Sequence, residues 1–268
     1  MPQVSTKPNP GPNTSEFQSK PSTLRWFLGW CVHGYTALGL VIAAVIAVLL
    51  FQGGGDAFRW SFILMGIATI VDATDGTLAR KVRIKEAVPS FDGRRLDDLT
   101  DFLTYTCLPL LLIWRANILP AGQEPWLIFA LLASAYGFCQ VDVKTEDGYF
   151  LGFPSLWNLV ALYLYVLPIG PWVSLVIVMV LALMTFVPSR YLYPSSQPSA
   201  LNRISSLLGA LWTPLLVWFA CRLPSSSRAE IDASTVQIAL VSMIYPIFYM
   251  GASWLISIGH WRKNWVRS

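Results

Sequence analysis

The chain has 268 residues, of which 54% are hydrophobic and 13% are charged, and its formal net charge at pH 7 is +4. Because about a quarter of the residues in a soluble domain are charged, this composition excludes an ordinary soluble domain. Apolar runs recur along most of the chain, and runs of about 20 apolar residues cross a bilayer as helices. The sequence therefore predicts an integral membrane protein.

The predicted elements begin after a polar tail. Residues 1–22 are rich in Pro, Ser, Thr and Asn, and we expect them to be disordered because they can bury little apolar surface. Residues 23–268 are expected to form one transmembrane domain. We predict an all-α, polytopic fold with about eight transmembrane helices. The predicted spans are residues 25–51, 58–81, 96–119, 125–143, 153–169, 171–190, 203–222 and 235–259.

Basic residues are distributed unevenly between the two sets of segments that connect these spans. An even number of spans places both termini on one side, and that set holds fifteen of the 19 Lys and Arg residues. The opposite set holds Arg59, Arg115, Arg222 and Arg228. Because short basic segments remain in the cytoplasm, we predict that both termini and the loop between the second and third spans are cytoplasmic.

Four aspartates lie near the junction of the second and third spans, namely Asp72, Asp75, Asp97 and Asp101. The first two are three positions apart and the last two are four apart, spacings that place each pair on one face of a helix. Consecutive spans joined by a short loop usually pack side by side. We therefore expect the four carboxylates to converge near the cytoplasmic surface.

Such a cluster needs a compensating cation, because carboxylates in a membrane repel one another and lose hydration. Arg80 or Arg95 could supply part of the positive charge. Hard divalent ions with oxygen ligands supply it better, and an all-carboxylate set suits Mg²⁺ or Mn²⁺ rather than zinc. We expect two such ions, which together can clamp a diphosphate.

A structural role for the same aspartates is the alternative. Asp97 and Asp98 could solvate a helix N-terminus, where acidic residues are favoured by the helix dipole. Asp72 and Asp75 could pair with the basic residues that follow them in the chain. Four acidic residues in register on two adjacent spans favour the functional interpretation, since ionisable groups inside a membrane are usually functional.

The residues around the cluster match a family signature. The pattern D-x-x-D-G-x-x-A-R, followed by G-x-x-x-D-x-x-x-D, resembles the signature of the CDP-alcohol phosphatidyltransferases. Its defined positions are filled by Asp72, Asp75, Gly76, Ala79, Arg80, Gly93, Asp97 and Asp101. Twelve residues separate Arg80 from Gly93, more than in most members. This longer spacing, together with residues 91–98 and 151–158, resembles the bacterial phosphatidylcholine synthase branch of the family.

The resemblance implies a reaction. Members of that branch transfer the phosphatidyl group of CDP-diacylglycerol to choline and release CMP. The resemblance assigns Asp72, Asp75 and Asp97 to the metal ions, with Asp101 as a fourth ligand and as the general base. We expect direct displacement, since the sequence offers no obvious nucleophile for a covalent intermediate.

Contacts with the CDP moiety are predicted from small and basic residues near the cluster and from the first span. These residues are Gly76, Ala79, Arg80, Gly93, Arg94, Thr36 and His33. Small side chains let a nucleotide lie close to the backbone, and basic ones suit its phosphates. Many family members carry P-N-x-x-T in the first span, and here Thr36 matches while His33 replaces the Asn. His33 either approaches the nucleotide or forms a hydrogen bond within the helix bundle.

Choline is a quaternary ammonium that cannot donate a hydrogen bond, so aromatic faces should hold it, with a carboxylate nearby. The candidates on the cytoplasmic side are Tyr105, Glu146, Tyr149 and Trp157. Packing between helices or placement at the membrane interface is the alternative role for each of these side chains.

Other functions predict different patterns. Serine could replace choline within the same family, whereas a phosphorylated acceptor needs a basic pocket for which only Lys144, Arg190 and Arg203 are available. A divalent-cation transporter predicts acidic residues spread along a path, and a structural lipid-binding protein leaves the aspartates unexplained. We expect a bacterial inner membrane location, membrane lipid and a second copy of the chain as partners, and no nucleic acid.

Overall fold

A computed structural model describes residues 22–141, 143, 145, 148–192 and 200–265. The α-helices are α1 (Thr23–Gln52), α2 (Gly55–Val82), α3 (Ile84–Ala87), α4 (Gly93–Asp101), α5 (Leu108–Arg115), α6 (Leu127–Cys139), α7 (Trp157–Val166), α8 (Pro171–Phe186), α9 (Ala200–Cys221), α10 (Ala233–Ser242) and α11 (Ile244–Trp265). A π-helical segment, Phe102–Cys107, joins α4 to α5, and short 3₁₀ turns lie at Glu124–Trp126 and Arg228–Glu230. Two short strands, β1 (Tyr149–Leu151) and β2 (Arg190–Leu192), form an antiparallel pair.

This architecture confirms the prediction of an all-α membrane protein. Four helical stretches are long and apolar enough to cross a membrane by themselves: Thr23–Gln52, Gly55–Val82, Leu201–Cys221 and Ala233–Lys263. Helices also lie in the other four predicted spans, although α6, α7 and α8 are shorter. The predicted tail lies outside the described residues except for Ser22, whose hydroxyl accepts a hydrogen bond from the Arg25 amide and caps α1.

The fifth predicted span begins later than expected. Residues 153–156 are not helical, and α7 starts only at Trp157. Gly152 has a φ of +81°, and a Cβ at this position would lie 2.4 Å from the carbonyl oxygen of Thr185. This sharp turn carries the chain from β1 into the bundle, and an apolar composition alone does not reveal it.

Helix α1 lies between α2 and α4, and glycines permit the close approach. A Cβ on Gly39 would lie 2.3 Å from the Thr100 Cγ2 atom, so the backbone of α1 contacts the Thr100 side chain directly. On the other side, Thr36 and Tyr35 form hydrogen bonds to residues of α2. Helix α1 thus holds the acid-bearing turns of α2 and α4 in one place.

The centre of the bundle is α7. Eight of its ten residues are buried, including the fully buried Trp157. A helix that is apolar on all sides belongs in the interior, which explains how such a short helix is accommodated. By contrast, α1, α8 and α11 leave large apolar side chains exposed on their outer faces, as expected for surfaces that contact lipid.

Two of the four arginines predicted to lie opposite the cytoplasmic side cap the C-termini of helices. The Arg115 guanidinium donates hydrogen bonds to the carbonyl oxygens of Leu50 (2.8 Å) and Phe51 (3.2 Å), at the end of α1. The Arg228 guanidinium donates to three carbonyls at the end of α7, which belong to Leu164, Tyr165 and Leu167. Carbonyls at a helix C-terminus lack partners within the helix, so these charges have a capping role.

The strand pair is an element that the sequence analysis did not predict. Tyr149 pairs with Leu192, Phe150 with Tyr191, and Leu151 with Arg190. Strand β2 docks on α11, where the hydroxyl oxygens of Ser257 and Ser253 accept hydrogen bonds from the amides of Arg190 and Leu192. Because serines supply these partners, the strand edge is satisfied inside the bundle.

Candidate active site

The predicted convergence of the aspartates is present where α2, α4 and α1 meet. Asp72, Asp97 and Asp101 each offer a carboxylate oxygen, and these atoms all lie within 4.8 Å of one another. Asp75 is only 6% exposed and lines a small cavity of about 10 Å³ together with the other three aspartates. Such a cavity is close in size to a single water molecule.

Each of the two clustered aspartates of α2 accepts a hydrogen bond from a hydroxyl of a different neighbouring segment. The Thr36 hydroxyl of α1 donates a hydrogen bond of 2.8 Å to Asp75 Oδ2. The Tyr105 hydroxyl, from the π-helical segment, donates one of 2.8 Å to Asp72 Oδ2. These bonds fix the direction of the two carboxylates, since a carboxylate otherwise rotates freely among its acceptor positions.

The basic residues near the cluster have other partners. Arg95 lies 3.1 Å from Asp92, whose carboxylate also accepts a hydrogen bond from the Arg95 amide and caps α4. Asp92, rather than Asp97, is thus the residue at the helix N-terminus. Arg80 donates to Thr77, a residue of its own helix. The structure therefore does not support compensation by Arg95 or a capping role for Asp97.

The donor set fits a hard divalent cation. Carboxylate oxygens surround the small cavity, with threonine hydroxyls as the remaining polar groups, and neither His nor Cys belongs to the group that could hold an ion. Oxygen-only ligand sets are characteristic of Mg²⁺ and Mn²⁺. The sequence analysis missed the two threonines of this wall, Thr100 and Thr104, whose position beside the aspartates follows from helix packing.

The residues predicted to contact CDP fall into two groups. Gly76 is open, because only the end of the Arg80 side chain would lie within 4 Å of an added Cβ. Gly93 is not open, because an added Cβ would lie 2.5 Å from His33 Cε1. The His33 ring is buried and packs against Phe91, with ring centroids 4.4 Å apart. Gly93 and His33 therefore pack against each other, and a contact of either residue with CDP remains a prediction.

The remaining CDP candidates differ in exposure and in position. Thr36 is buried, and its hydroxyl donates a hydrogen bond to Asp75. Ala79 is partly exposed and Arg80 is exposed, one turn beyond Gly76 on α2. Arg94 lines the larger cavity and lies 4.0 Å from Asp98.

A second, larger cavity of about 680 Å³ adjoins the aspartates. Asp72, Asp97 and Asp101 line one part of it, so these three residues face both cavities. The cavity then continues between α6, α7, α8, α9 and α11, where its walls are mostly apolar or aromatic. An apolar cavity with a few convergent polar groups at one side is the usual form of a site for an amphipathic ligand.

The four choline candidates differ in whether they line the larger cavity. Tyr105 lines the larger cavity beside the aspartates. Trp157 does not line it, because its ring is fully buried and its Nε1 donates to the Ser134 hydroxyl at 2.7 Å. Tyr149 stacks under the Arg190 guanidinium at 5.5 Å and does not line the cavity either. Glu146 lies outside the described residues.

Other aromatic residues of the cavity wall were missed. Trp212 and Tyr245 have ring centroids 5.0 Å apart, and Tyr249 lies one turn further along α11. The spacing of Tyr245 and Tyr249 places them on one helix face, a signal that the sequence offers. That this face lines the cavity depends on how α11 packs, which the spacing does not reveal.

The fold and the site together define a membrane protein with an oxygen-only candidate divalent-cation site where three helices meet. The family model described as CDP-alcohol phosphatidyltransferase matches residues 34–187, which contain all four aspartates. The chain belongs to the CDP-alcohol phosphatidyltransferase family. Members of this family depend on divalent metals, in agreement with the acidic cluster.

Several relatives are named phosphatidylcholine synthase. The chain is 42% identical to the one from Pseudomonas aeruginosa over 62% of its own length and 68% of that protein. It is 36% identical to the one from Legionella pneumophila, over 65% of its own length and 69% of that protein. It is 31% identical to the one from Mesorhizobium japonicum, over 78% and 75%.

Proposed function

We propose that this protein is a phosphatidylcholine synthase, which transfers the phosphatidyl group of CDP-diacylglycerol to choline and releases CMP. One observation carries the proposal. Asp72, Asp97 and Asp101 lie together at the junction of a cation-sized cavity and a large apolar cavity. A charged diphosphate and a lipid can therefore be bound in adjoining spaces. The relatives named phosphatidylcholine synthase support choline as the acceptor.

Asp72, Asp75, Asp97 and Asp101 would hold Mn²⁺ or Mg²⁺, and we propose two ions. When bound, these ions neutralise the diphosphate charge and stabilise the charge that develops on the leaving group. Asp75 lines the small cavity but not the larger one. It would therefore contribute to binding the cation and not to binding the acceptor. The open surface at Gly76 and Ala79, with Arg80 beside it, would receive the CDP moiety. Arg94, in the wall of the larger cavity, would contact the phosphates.

Asp101 is the proposed general base. Its carboxylate faces the larger cavity, where the choline hydroxyl would enter. Asp101 accepts the hydroxyl proton while the choline oxygen forms a bond to the phosphorus that carries the diacylglycerol. The bond between that phosphorus and the CMP oxygen breaks, and CMP leaves. Positioned proton transfer of this kind contributes about 10²–10⁴-fold to a rate.

Choline would lie in the larger cavity, with its quaternary ammonium against aromatic faces. Tyr105 is the predicted choline residue whose position supports this role, because it lines the cavity next to Asp72 and Asp101. The apolar remainder of the cavity suits the lipid portion of CDP-diacylglycerol. A phosphorylated acceptor is disfavoured, since Arg94 is the one basic residue among the described residues of this wall and is already assigned to the phosphates of CDP.

The finer topology is also a proposal. Helices in all eight predicted spans and the clustering of basic residues near the acidic end support eight spans with both termini in the cytoplasm. The active site would then open at the cytoplasmic face of a bacterial inner membrane. The homodimer expected from the family resemblance remains a prediction, which native mass spectrometry of the purified protein measures.

The test uses purified protein in detergent with CDP-diacylglycerol and Mn²⁺, and it measures CMP release. We expect release with choline, little with serine, glycerol 3-phosphate or no acceptor, and loss of about 10²–10⁴-fold for Asp101→Asn. Release with serine alone would keep the family and reject choline. Absence of release with every acceptor, from folded protein that binds Mn²⁺, would reject the transferase proposal.

A further inference from the structure

The hydroxyl of Tyr105 contacts a residue of the acidic cluster that lies far away in the chain. It donates a hydrogen bond of 2.8 Å to Asp72 Oδ2, across a separation of 33 positions. Tyr105 itself lies beyond the family signature, whose last defined position is Asp101. Of the two clustered carboxylates of α2, Asp75 thus receives its donor from Thr36, which matches the first-span pattern of the family, while Asp72 receives one from a residue outside both patterns.

The π-helical segment accounts for the position of this hydroxyl. In an uninterrupted α-helix, each step of four residues turns a side chain about 40° further around the axis. Tyr105 would then lie roughly 80° away from the direction of Asp97. A π-helical turn contains more residues than an α-helical turn, so the side chain rotates less per residue. The segment Phe102–Cys107 therefore keeps Tyr105 on the same side as Asp97 and Asp101.

Asp72 occupies a position where its direction matters. It lines both cavities, and one of its oxygens lies within 4.8 Å of oxygens from Asp97 and Asp101. A carboxylate that is free to rotate can turn away from two like charges. A donor on Oδ2 opposes that rotation. Partners of this kind are worth about 10- to 100-fold in metal affinity or activity.

We propose that Tyr105 is a positioning residue of the cation site, which orients Asp72 through its hydroxyl and the π-helical segment. The aromatic ring of the same residue lines the larger cavity, so one side chain connects the cation site to the acceptor space. The proposal rests on the proposed function only for the type of cation. It does not depend on which alcohol accepts the phosphatidyl group.

The test is Mn²⁺ binding to purified Tyr105→Phe in the absence of CDP-diacylglycerol and choline. Electron paramagnetic resonance of free Mn²⁺ measures the affinity, and we expect it to fall about 10- to 100-fold. In the transferase assay, the Mn²⁺ concentration for half-maximal rate should rise by a similar factor, while the KM for choline stays within about twofold. Saturating Mn²⁺ should restore most of the rate, because the substitution removes orientation and not a ligand.

Tyr35→Phe is the matched control. Its hydroxyl is bonded at 2.8 Å to Thr74, which lies on α2 two positions from Asp72, and we expect unchanged Mn²⁺ affinity. Tyr105→Met, which also lacks the hydroxyl and fills the space flexibly, is the second variant should Tyr105→Phe not fold. A folded variant without the hydroxyl that binds Mn²⁺ as tightly as the wild type overturns the proposal. A raised KM for choline with unchanged Mn²⁺ affinity also overturns it, in favour of a direct acceptor contact.

Discussion

The charged side chains at the two ends of the helix bundle have different kinds of partner. At the end where α1 begins, three aspartate oxygens lie within 4.8 Å of one another, and neutral hydroxyls hold Asp72 and Asp75 in place. At the end where α1 finishes, Arg115 and Arg228 donate to helix carbonyls within 2.7–3.2 Å. Charge that is satisfied by backbone serves the fold, whereas like charges held together by neutral donors are available for chemistry.

The largest effect on the rate is expected from replacing an aspartate by asparagine at the acidic end, and the same replacement at the opposite end serves as its control. Asp97→Asn removes a ligand of the cation site, and the loss of about 3 kcal/mol of charge stabilisation lowers the rate of CMP release by at least about 10²-fold. Asp56→Asn is the control, because the exposed Asp56 lies at the other end, 3.9 Å from the half-buried Arg59. Asp56 lines neither cavity, so the rate of this variant should not change.

Both rates are measured alongside melting temperatures in detergent. Equal loss of rate in the two aspartate variants would mean that the ends do not differ in the way proposed. A lower melting temperature for Asp97→Asn would also count against a chemical role, since relief of repulsion among the aspartates should leave stability unchanged or raise it.

The next effect concerns stability at the opposite end. Arg228→Met leaves three carbonyls at the end of α7 without their donor and should lower the free energy of unfolding by about 2–3 kcal/mol. The specific activity of the protein that remains folded should stay within about twofold of the wild type. Arg222→Met is the control. The Arg222 side chain is exposed and contacts the Trp218 ring at 4.8 Å, so its loss should change stability little.

The melting temperature measures the effect on stability, and the rate per folded molecule measures the effect on activity. If Arg228→Met lost activity while keeping its melting temperature, the arginine would have a functional role that its backbone hydrogen bonds do not explain.

The smallest effects distinguish two glycines of the family signature. Gly93→Ala should lower stability by about 1–3 kcal/mol, because the new Cβ would lie 2.5 Å from the His33 ring. Gly76→Ala should leave stability equal or slightly higher, since alanine favours helix and the site is open. Its effect should appear instead as a raised KM for CDP-diacylglycerol.

A double variant checks the packing explanation for Gly93. His33→Ala creates space, so Gly93→Ala should destabilise the His33→Ala protein less than the wild type, by a coupling of at least about 0.5 kcal/mol. Additive effects on the melting temperature would show that the His33 ring does not restrict this position.

The membrane class and the acid cluster could both be predicted from the sequence. Long apolar runs and acidic residues at helical spacing are local patterns, and they carry their meaning without knowledge of the packing. The structural alternative for Asp97 could not be resolved in the same way. It was decided by Asp92, whose carboxylate caps α4.

Aromatic residues show the limit of such local patterns. Trp157, Tyr149 and Tyr105 were equivalent choices in the sequence, yet only Tyr105 among them lines the larger cavity. Trp157 is buried in the central helix, and Tyr149 stacks with Arg190 after β1 pairs with β2. Composition identifies an aromatic side chain, but burial and strand pairing determine whether a ligand can reach it.

The sequence by itself determined that this is an all-α membrane protein with four aspartates in register at the junction of two helices. Helical periodicity and bilayer thickness are sufficient for those conclusions. Only the tertiary structure decided that His33 fills the space beside Gly93, that Thr36 and Tyr105 donate hydrogen bonds to Asp75 and Asp72, and that Arg228 caps α7. These contacts join residues distant in the chain, and their geometry depends on how closely the helices pack.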